Sequence, residues 1–220
     1  MMRSLLTCAL LCTCFPGHCD PEWELLEKAE ERSLAVSEGE LRFLTSPPEP
    51  PTHQHINQLS ITPESLLDGW VSLNQCHRDI DPVAKAEITF RPGRIRNLQI
   101  TQTENIERTQ TGDSSVFMEN IGNNATLCLT AETRALELMD GGEVELRNGP
   151  YMRRFLDGYY PMFISLRVNH PEQMVITDIS PSHQPGLRVT KKSGEVALEG
   201  WFEGKLFTRL RFRPTTTGNR

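Results

Sequence analysis

Beyond its first nineteen residues the sequence is short of cysteine, of aromatics and of long apolar runs. No later segment has even ten consecutive apolar residues, so no membrane-spanning helix of ~20 residues is available. Tyrosine occurs only three times, at Tyr151, Tyr159 and Tyr160, in a chain that is 7% aromatic. No G-x-S-x-G elbow is present, which removes the commonest serine-hydrolase signature. No long helical pattern follows residue 32. A basic excess is absent too: Asp and Glu number 29 against 23 Lys and Arg. An acidic chain whose cations are spread along strands is not built for nucleic acid.

The first nineteen residues set the expected address. Arg3 is followed by the apolar run 4–15 (SLLTCALLCTCF), and Pro16-Gly17-His18-Cys19 ends it. That pattern predicts a secretory signal over residues 1–19, with a periplasmic or extracellular destination. A lipid-anchored form, lipidated at Cys14, is the alternative; Thr13 before the cysteine departs from the usual lipoprotein box. Removing the signal also removes Cys8, Cys12, Cys14 and Cys19, leaving Cys76 and Cys128. One pair in an oxidising compartment predicts a disulfide.

Charge and punctuation divide the remainder. Residues 20–45 form an acidic segment, in which 21–32 (PEWELLEKAEER) predicts a short helix through its helix formers and the Glu24–Lys28 pair. The stretch 34–44 predicts a hairpin about Ser37-Glu38-Gly39. Four prolines in residues 46–52 (SPPEPPT) predict an extended linker. Residues 53–147 predict a β-rich domain holding the cysteine pair, and 148–220 a β-rich C-terminal part packed on it.

From residue 53 onward the apolar period is two. Met162, Ile164, Leu166 and Val168 alternate with polar residues, as do Leu206, Thr208, Leu210 and Phe212 with Phe207, Arg209 and Arg211. Turn signals at Arg91-Pro92-Gly93, Lys192-Ser193-Gly194 and Glu203-Gly204 separate such runs. About eleven short strands at 8–12-residue spacing predict an all-β fold, an antiparallel β-sandwich of immunoglobulin-like architecture, as one large or two small sandwiches with a short N-terminal helix. Trp70 precedes both cysteines instead of lying between them, so the likeness to immunoglobulin domains is architectural only.

Few residue groups suggest chemistry. Ser114 lies in a Gly112-Asp113-Ser114-Ser115 block that also reads as an ordinary turn. Cys76 and His77 are adjacent, the residue types of a thiolate nucleophile and its base, but neighbours on a strand face opposite ways. Asp79 and Asp81 share a face, yet two carboxylates fall short of the six to eight oxygens calcium takes. His53 and His55, two apart on an extended segment, face the same way and could ligate zinc or copper if His77, His170, His183 or a methionine supplied a third ligand. Asn124-Ala125-Thr126 matches a glycosylation sequon.

The richest stretch is 148–162, NGPYMRRFLDGYYPM. It gathers Tyr151, Arg153, Arg154, Tyr159 and Tyr160 between Gly and Pro residues. Tyrosine and arginine dominate binding surfaces because each joins broad apolar area to a directional polar tip. The same residues also suit a brace at a corner between strands. The expectation is a non-enzymatic exported binding module without a cofactor, its partner a protein or glycan of the cell envelope. A metal-binding protein using His53 and His55 is the alternative.

Overall fold

The computed structural model describes residues 39–49 and 52–215. The secretory signal, the acidic helix and most of the predicted 34–44 hairpin lie outside these residues. Among the described residues the chain is almost entirely strand. In order these are β1 (Arg42–Leu44), β2 (Gln54–Ser60), β3 (Trp70–Ile80), β4 (Lys85–Thr89), β5 (Ile95–Thr111), β6 (Ser115–Arg134), β7 (Leu136–Leu138) and β8 (Val144–Tyr151). There follow β9 (Arg153–Phe155), β10 (Gly158–Tyr160), β11 (Met162–Asn169), β12 (Met174–Ser180), β13 (Leu187–Lys192), β14 (Glu195–Glu203) and β15 (Leu206–Pro214). One helical turn, α1 (Ser65–Asp68), precedes β3. No helix among the described residues is long and apolar enough to cross a membrane.

A large sheet runs β1-β14-β11-β2-β3-β6-β4, with β13 also on β14 and β5 also on β6. A smaller sheet runs β12-β15-β8-β7, and β9 and β10 make a separate hairpin. Pairing is antiparallel except between β2 and β11, which run parallel from Phe163↔Gln54 to Asn169↔Ser60. One buried cluster draws on both sheets: Leu59, Leu73 and Leu127 from the large one, Leu146, Leu210 and Phe212 from the small one. The alternation read in the sequence produces this directly. Met162, Ile164, Leu166 and Val168 are all buried, as are Leu206, Thr208, Leu210 and Phe212.

Residues 42–44 pair with β14, from Arg42↔Glu203 to Leu44↔Trp201, so the sheet already begins ahead of the prolines. β8 runs through residue 148, and both sheets take strands from both sides of it. The strands are also unequal: β5 and β6, at 17 and 20 residues, form a long ribbon where several short strands were expected. The polar run along β5 reads as loop because nearly all of that strand is exposed. Asn97, Asn105, Asn120 and Asn124 sit in the left-handed region, which asparagine tolerates. The register slips between Arg96 and Gln99, Ile100 and Gln102, and Glu104 and Ile106, the extra residues of bulges that bend the ribbon.

Candidate functional site

β2 and β3 pair antiparallel with His55 opposite His77 and Asn57 opposite Gln75. Side chains alternate along a strand. The parity that buries Leu59 and Leu73 therefore also buries His55, Asn57, Gln75 and His77. One end of the interior is thus polar where the pattern elsewhere is apolar. Facing it are Tyr151, at the end of β8, and Thr208 of β15, both buried. Gly149 makes the approach to Tyr151: its φ is +105°, and a Cβ there would lie 2.6 Å from the Leu206 carbonyl oxygen, so only glycine serves.

The polar side chains touch one another. His53 Nε2 lies 2.8 Å from His77 Nδ1, and Gln75 Nε2 lies 2.6 Å from His77 Nε2. With the Gln75 amide donating, the His77 proton sits on Nδ1 and points at His53. The His55 ring packs on His77 at 4.3 Å between centroids and meets Tyr151 edge-on at 4.9 Å. Asn57 Nδ2 donates to the Tyr151 hydroxyl at 3.0 Å. His55 Nε2 and Asn57 Oδ1 are buried and make no well-formed hydrogen bond, although Asn57 and Gln75 lie close enough to His55 for hydrogen bonding to oppose the lowering of its pKa by burial.

Burial keeps this cluster uncharged. It lowers His53 to about 4, the Asp81 carboxylate opposing it. It lowers His55 to about 3, with His53 adding to the effect. His77 falls well below the usual imidazole value through burial and then through His55 and His53. Tyr151 is pushed up by the same loss of water.

These side chains form the floor of a cleft of about 940 Å³ bounded by residues of both sheets. Ile80, Val83, Ile88 and Met118 supply an apolar wall, and Phe90, Phe155 and Phe207 stand along it. Seven arginines line it against the three carboxylates of Asp81, Glu87 and Glu137. Four of the seven are committed: Arg153 to Asp81, Arg94 to Glu137, Arg147 to the buried Glu145, and Arg209 to Asp178. Arg91, Arg134 and Arg154 are exposed, and among the described residues none of them has an acidic partner within 4.0 Å.

The tyrosine-rich stretch is divided by the structure. Tyr151, Arg153 and Arg154 line the cleft. Tyr159 does not; it is buried beneath Arg154 and Lys205, whose cations lie 5.6 and 5.1 Å from its ring. Tyr160 donates to Asp157 at 2.6 Å and meets Phe155 edge-on. Both therefore brace the β9–β10 hairpin.

His53 and His55 do share a face, and His77 joins them, but as a hydrogen-bonded stack. His77 spends both ring nitrogens on His53 and Gln75. Among the described residues no three His, Cys, Asp or Glu side chains are placed to hold a metal ion. Cys76 is joined to Cys128 directly across β3 and β6, which removes the thiol from any pairing with His77. Ser114 is a turn residue whose carbonyl accepts from the Phe90 amide at 2.8 Å. Sequence reading missed Asn57, Gln75, Arg91 and Arg134. The first two were accessible in principle, as polar residues at inward parity beside His55 and His77.

No family model matches the chain, and no curated protein does. Among solved structures, a mutant M1 zinc metallopeptidase from Deinococcus radiodurans bound to a Tyr-Ser-Ala substrate is similar at TM-score 0.41 and 14% identity, over 81% of this chain and 43% of that one. A two-domain M1 zinc metallopeptidase bound to L-tryptophan gives TM-score 0.40 and 12% identity, over 81% and 44%. The chain thus spans less than half the length of these structures, and a likeness this slight assigns it neither fold nor activity.

Proposed function

We propose that the chain is an exported, non-enzymatic binding protein, its two sheets packed as a β-sandwich, whose cleft takes an anionic macromolecule or glycan of the cell envelope. The observation that carries this reading is the unneutralised charge of Arg91, Arg134 and Arg154 around a cleft of about 940 Å³. Guanidinium groups pair with carboxylate or phosphate in bidentate geometry, and the flanking Phe155 and Phe207 offer apolar area beside them. Export is supported by the disulfide, which persists in oxidising compartments. A binding role is favoured over catalysis because the thiol of Cys76 is consumed and Ser114 serves a turn.

Titration calorimetry with acidic and neutral oligosaccharides of equal length tests the reading. The acidic ligand binds and the neutral one does not, and Arg91→Ala/Arg134→Ala/Arg154→Ala weakens binding at least tenfold with an unchanged urea midpoint. Binding indifferent to the three arginines, or no acidic ligand bound at all, would overturn it.

A further inference from the structure

We infer that the floor of the cleft, His55, Asn57 and Tyr151, is a hydroxyl-reading subsite, so that the ligand is an acidic sugar: a uronic-acid oligosaccharide with hydroxyls on the floor and its carboxylate at Arg91 and Arg134. This rests on the anionic reading of the cleft and goes further, by naming what lies between the charges.

The first ground is the pair of atoms left without a well-formed hydrogen bond. Asn57 Oδ1 and His55 Nε2 belong to side chains more than nine-tenths buried, and both residues line the cleft. A buried polar atom without a hydrogen bond is costly, so each calls for a water or a ligand group to complete it. Asn57 Oδ1 only accepts, and His55 Nε2 accepts or donates according to tautomer. A hydroxyl, both donor and acceptor, satisfies either atom. A carboxylate has no proton to give Asn57 Oδ1.

The second ground is the absence of charge on the floor. His53, His55 and His77 are held neutral and Tyr151 keeps its proton, so no ion there compensates a buried carboxylate. An unpaired ion in such surroundings is strongly disfavoured. The charged part of the ligand is therefore directed to the exposed arginines, and an uncharged polar part to the floor.

The third ground is shape. Asn57 Nδ2 donates to the Tyr151 hydroxyl, and His55 meets the Tyr151 ring edge-on, so the polar atoms are fixed in direction before a ligand arrives. Phe155 and Phe207 line the same cleft and offer flat apolar faces suited to the C–H face of a sugar ring. A stiff ring carrying hydroxyls on its edge and one carboxylate meets all three conditions at once. A flexible polyanion such as polyglutamate meets only the arginines.

The experiment compares three probes by calorimetry: a short oligogalacturonide, a neutral galacto-oligosaccharide of equal length, and a polyglutamate of equal charge. The native protein binds the oligogalacturonide at least tenfold more tightly than either of the others. Asn57→Leu, which removes the polar atoms at near-constant volume, weakens oligogalacturonide binding at least tenfold and leaves polyglutamate unchanged. Should Asn57→Leu not fold, Tyr151→Phe gives the same readout through loss of the hydroxyl. Equal binding of polyglutamate and oligogalacturonide overturns the sugar subsite while leaving the anionic reading intact. An unchanged affinity in both variants shows that the floor holds only water, and overturns it too. If none of the probes binds, both readings fall.

Discussion

Arg153 and Asp81, seventy-two residues apart in the chain, close a two-pronged ion pair at the mouth of the cleft. Arg153 Nε donates to Asp81 Oδ2 at 2.9 Å, and a second guanidinium nitrogen reaches Oδ1. A third donates to the Pro161 carbonyl at 3.0 Å. The pair ties the β9–β10 hairpin to the segment following β3, and so keeps Arg154 and Phe155 beside the cleft. The two adjacent arginines therefore differ: Arg153 is committed to Asp81, and Arg154 is exposed, with its cation over the Tyr159 ring.

Both partners of that pair are largely shielded, with side chains 17% and 24% exposed, so the interaction is worth more than a surface bridge. Arg153→Ala and Asp81→Ala are each expected to cost about 1–3 kcal/mol in urea unfolding, the range for charge-assisted hydrogen bonds left half made. The double variant should cost less than the sum of the two. Strict additivity would mean that the latch contributes nothing. Arg154→Ala is expected to leave the urea midpoint unchanged.

Acid should weaken the fold through the histidine cluster. Below pH 6.5 an unfolded chain takes up protons that the buried imidazoles refuse until about pH 4 at His53 and about pH 3 at His55. The unfolded state then binds more protons, so stability is complete above pH 6.5 and is lost as pH falls through that window. For His53 alone the loss is about 3 kcal/mol by pH 4. Urea midpoints between pH 7 and pH 5 isolate the effect, because carboxylates titrate mainly below that range. A flat profile there would show that these imidazoles titrate normally.

The parts of the fold visible in the sequence are those where one face is apolar and the other polar. β11 and β15 are recognised residue by residue because their buried positions, Thr208 apart, are Met, Ile, Leu, Val and Phe. The second half of β5 is not, since residues 101–111 are mostly exposed and Ile106 is their one apolar residue. The parallel pairing of β2 with β11 is equally hidden, because partner choice between distant strands leaves no local trace. The cleft floor was half legible: His53 and His55 stood out by spacing, whereas Asn57 and Gln75 look like solvent-facing residues until strand parity is followed from Leu59 and Leu73. The arginines were overlooked because Arg91 and Arg134 come from turns and strand ends far apart in sequence, and only the sheet brings them to one cleft.

The disulfide joins residues 52 apart and directly opposite on β3 and β6. Closing a loop of that size removes unfolded-state entropy worth up to about 4 kcal/mol. Cys76→Ala/Cys128→Ala is expected to lower stability by about 3–4 kcal/mol at constant pH, read from urea unfolding. The intact mass of the native protein should be two hydrogens below that of the reduced chain. Native protein whose thiols react freely with a thiol reagent would contradict the bridge.

Glu145 tests how the small sheet tolerates charge. Its side chain is fully buried, on the face of β8 opposite Leu146, yet it meets Arg147 and, across the strand pair, Arg211 Nε at 2.5 Å. Arg209 stands 3.9 Å away. The exposures are unequal: the carboxylate has none, while Arg147, Arg209 and Arg211 keep 56%, 43% and 36%. The partners of Glu145 are all half-exposed arginines on that outer face, so the guanidinium groups are what cover the carboxylate, and truncating them lets water reach it. Burial works to raise the Glu145 carboxyl, but the hydrogen bonds from Arg211 and Arg147 hold it below the usual carboxylate range. The attraction therefore outweighs the loss of water. Glu145→Gln, which keeps the shape and removes the charge, should lower the urea midpoint at pH 7. Adding Arg147→Ala/Arg211→Ala to it should lower the midpoint little further, because the arginines act through the carboxylate. Strict additivity of the two changes in urea unfolding would mean that the ion pairs contribute nothing.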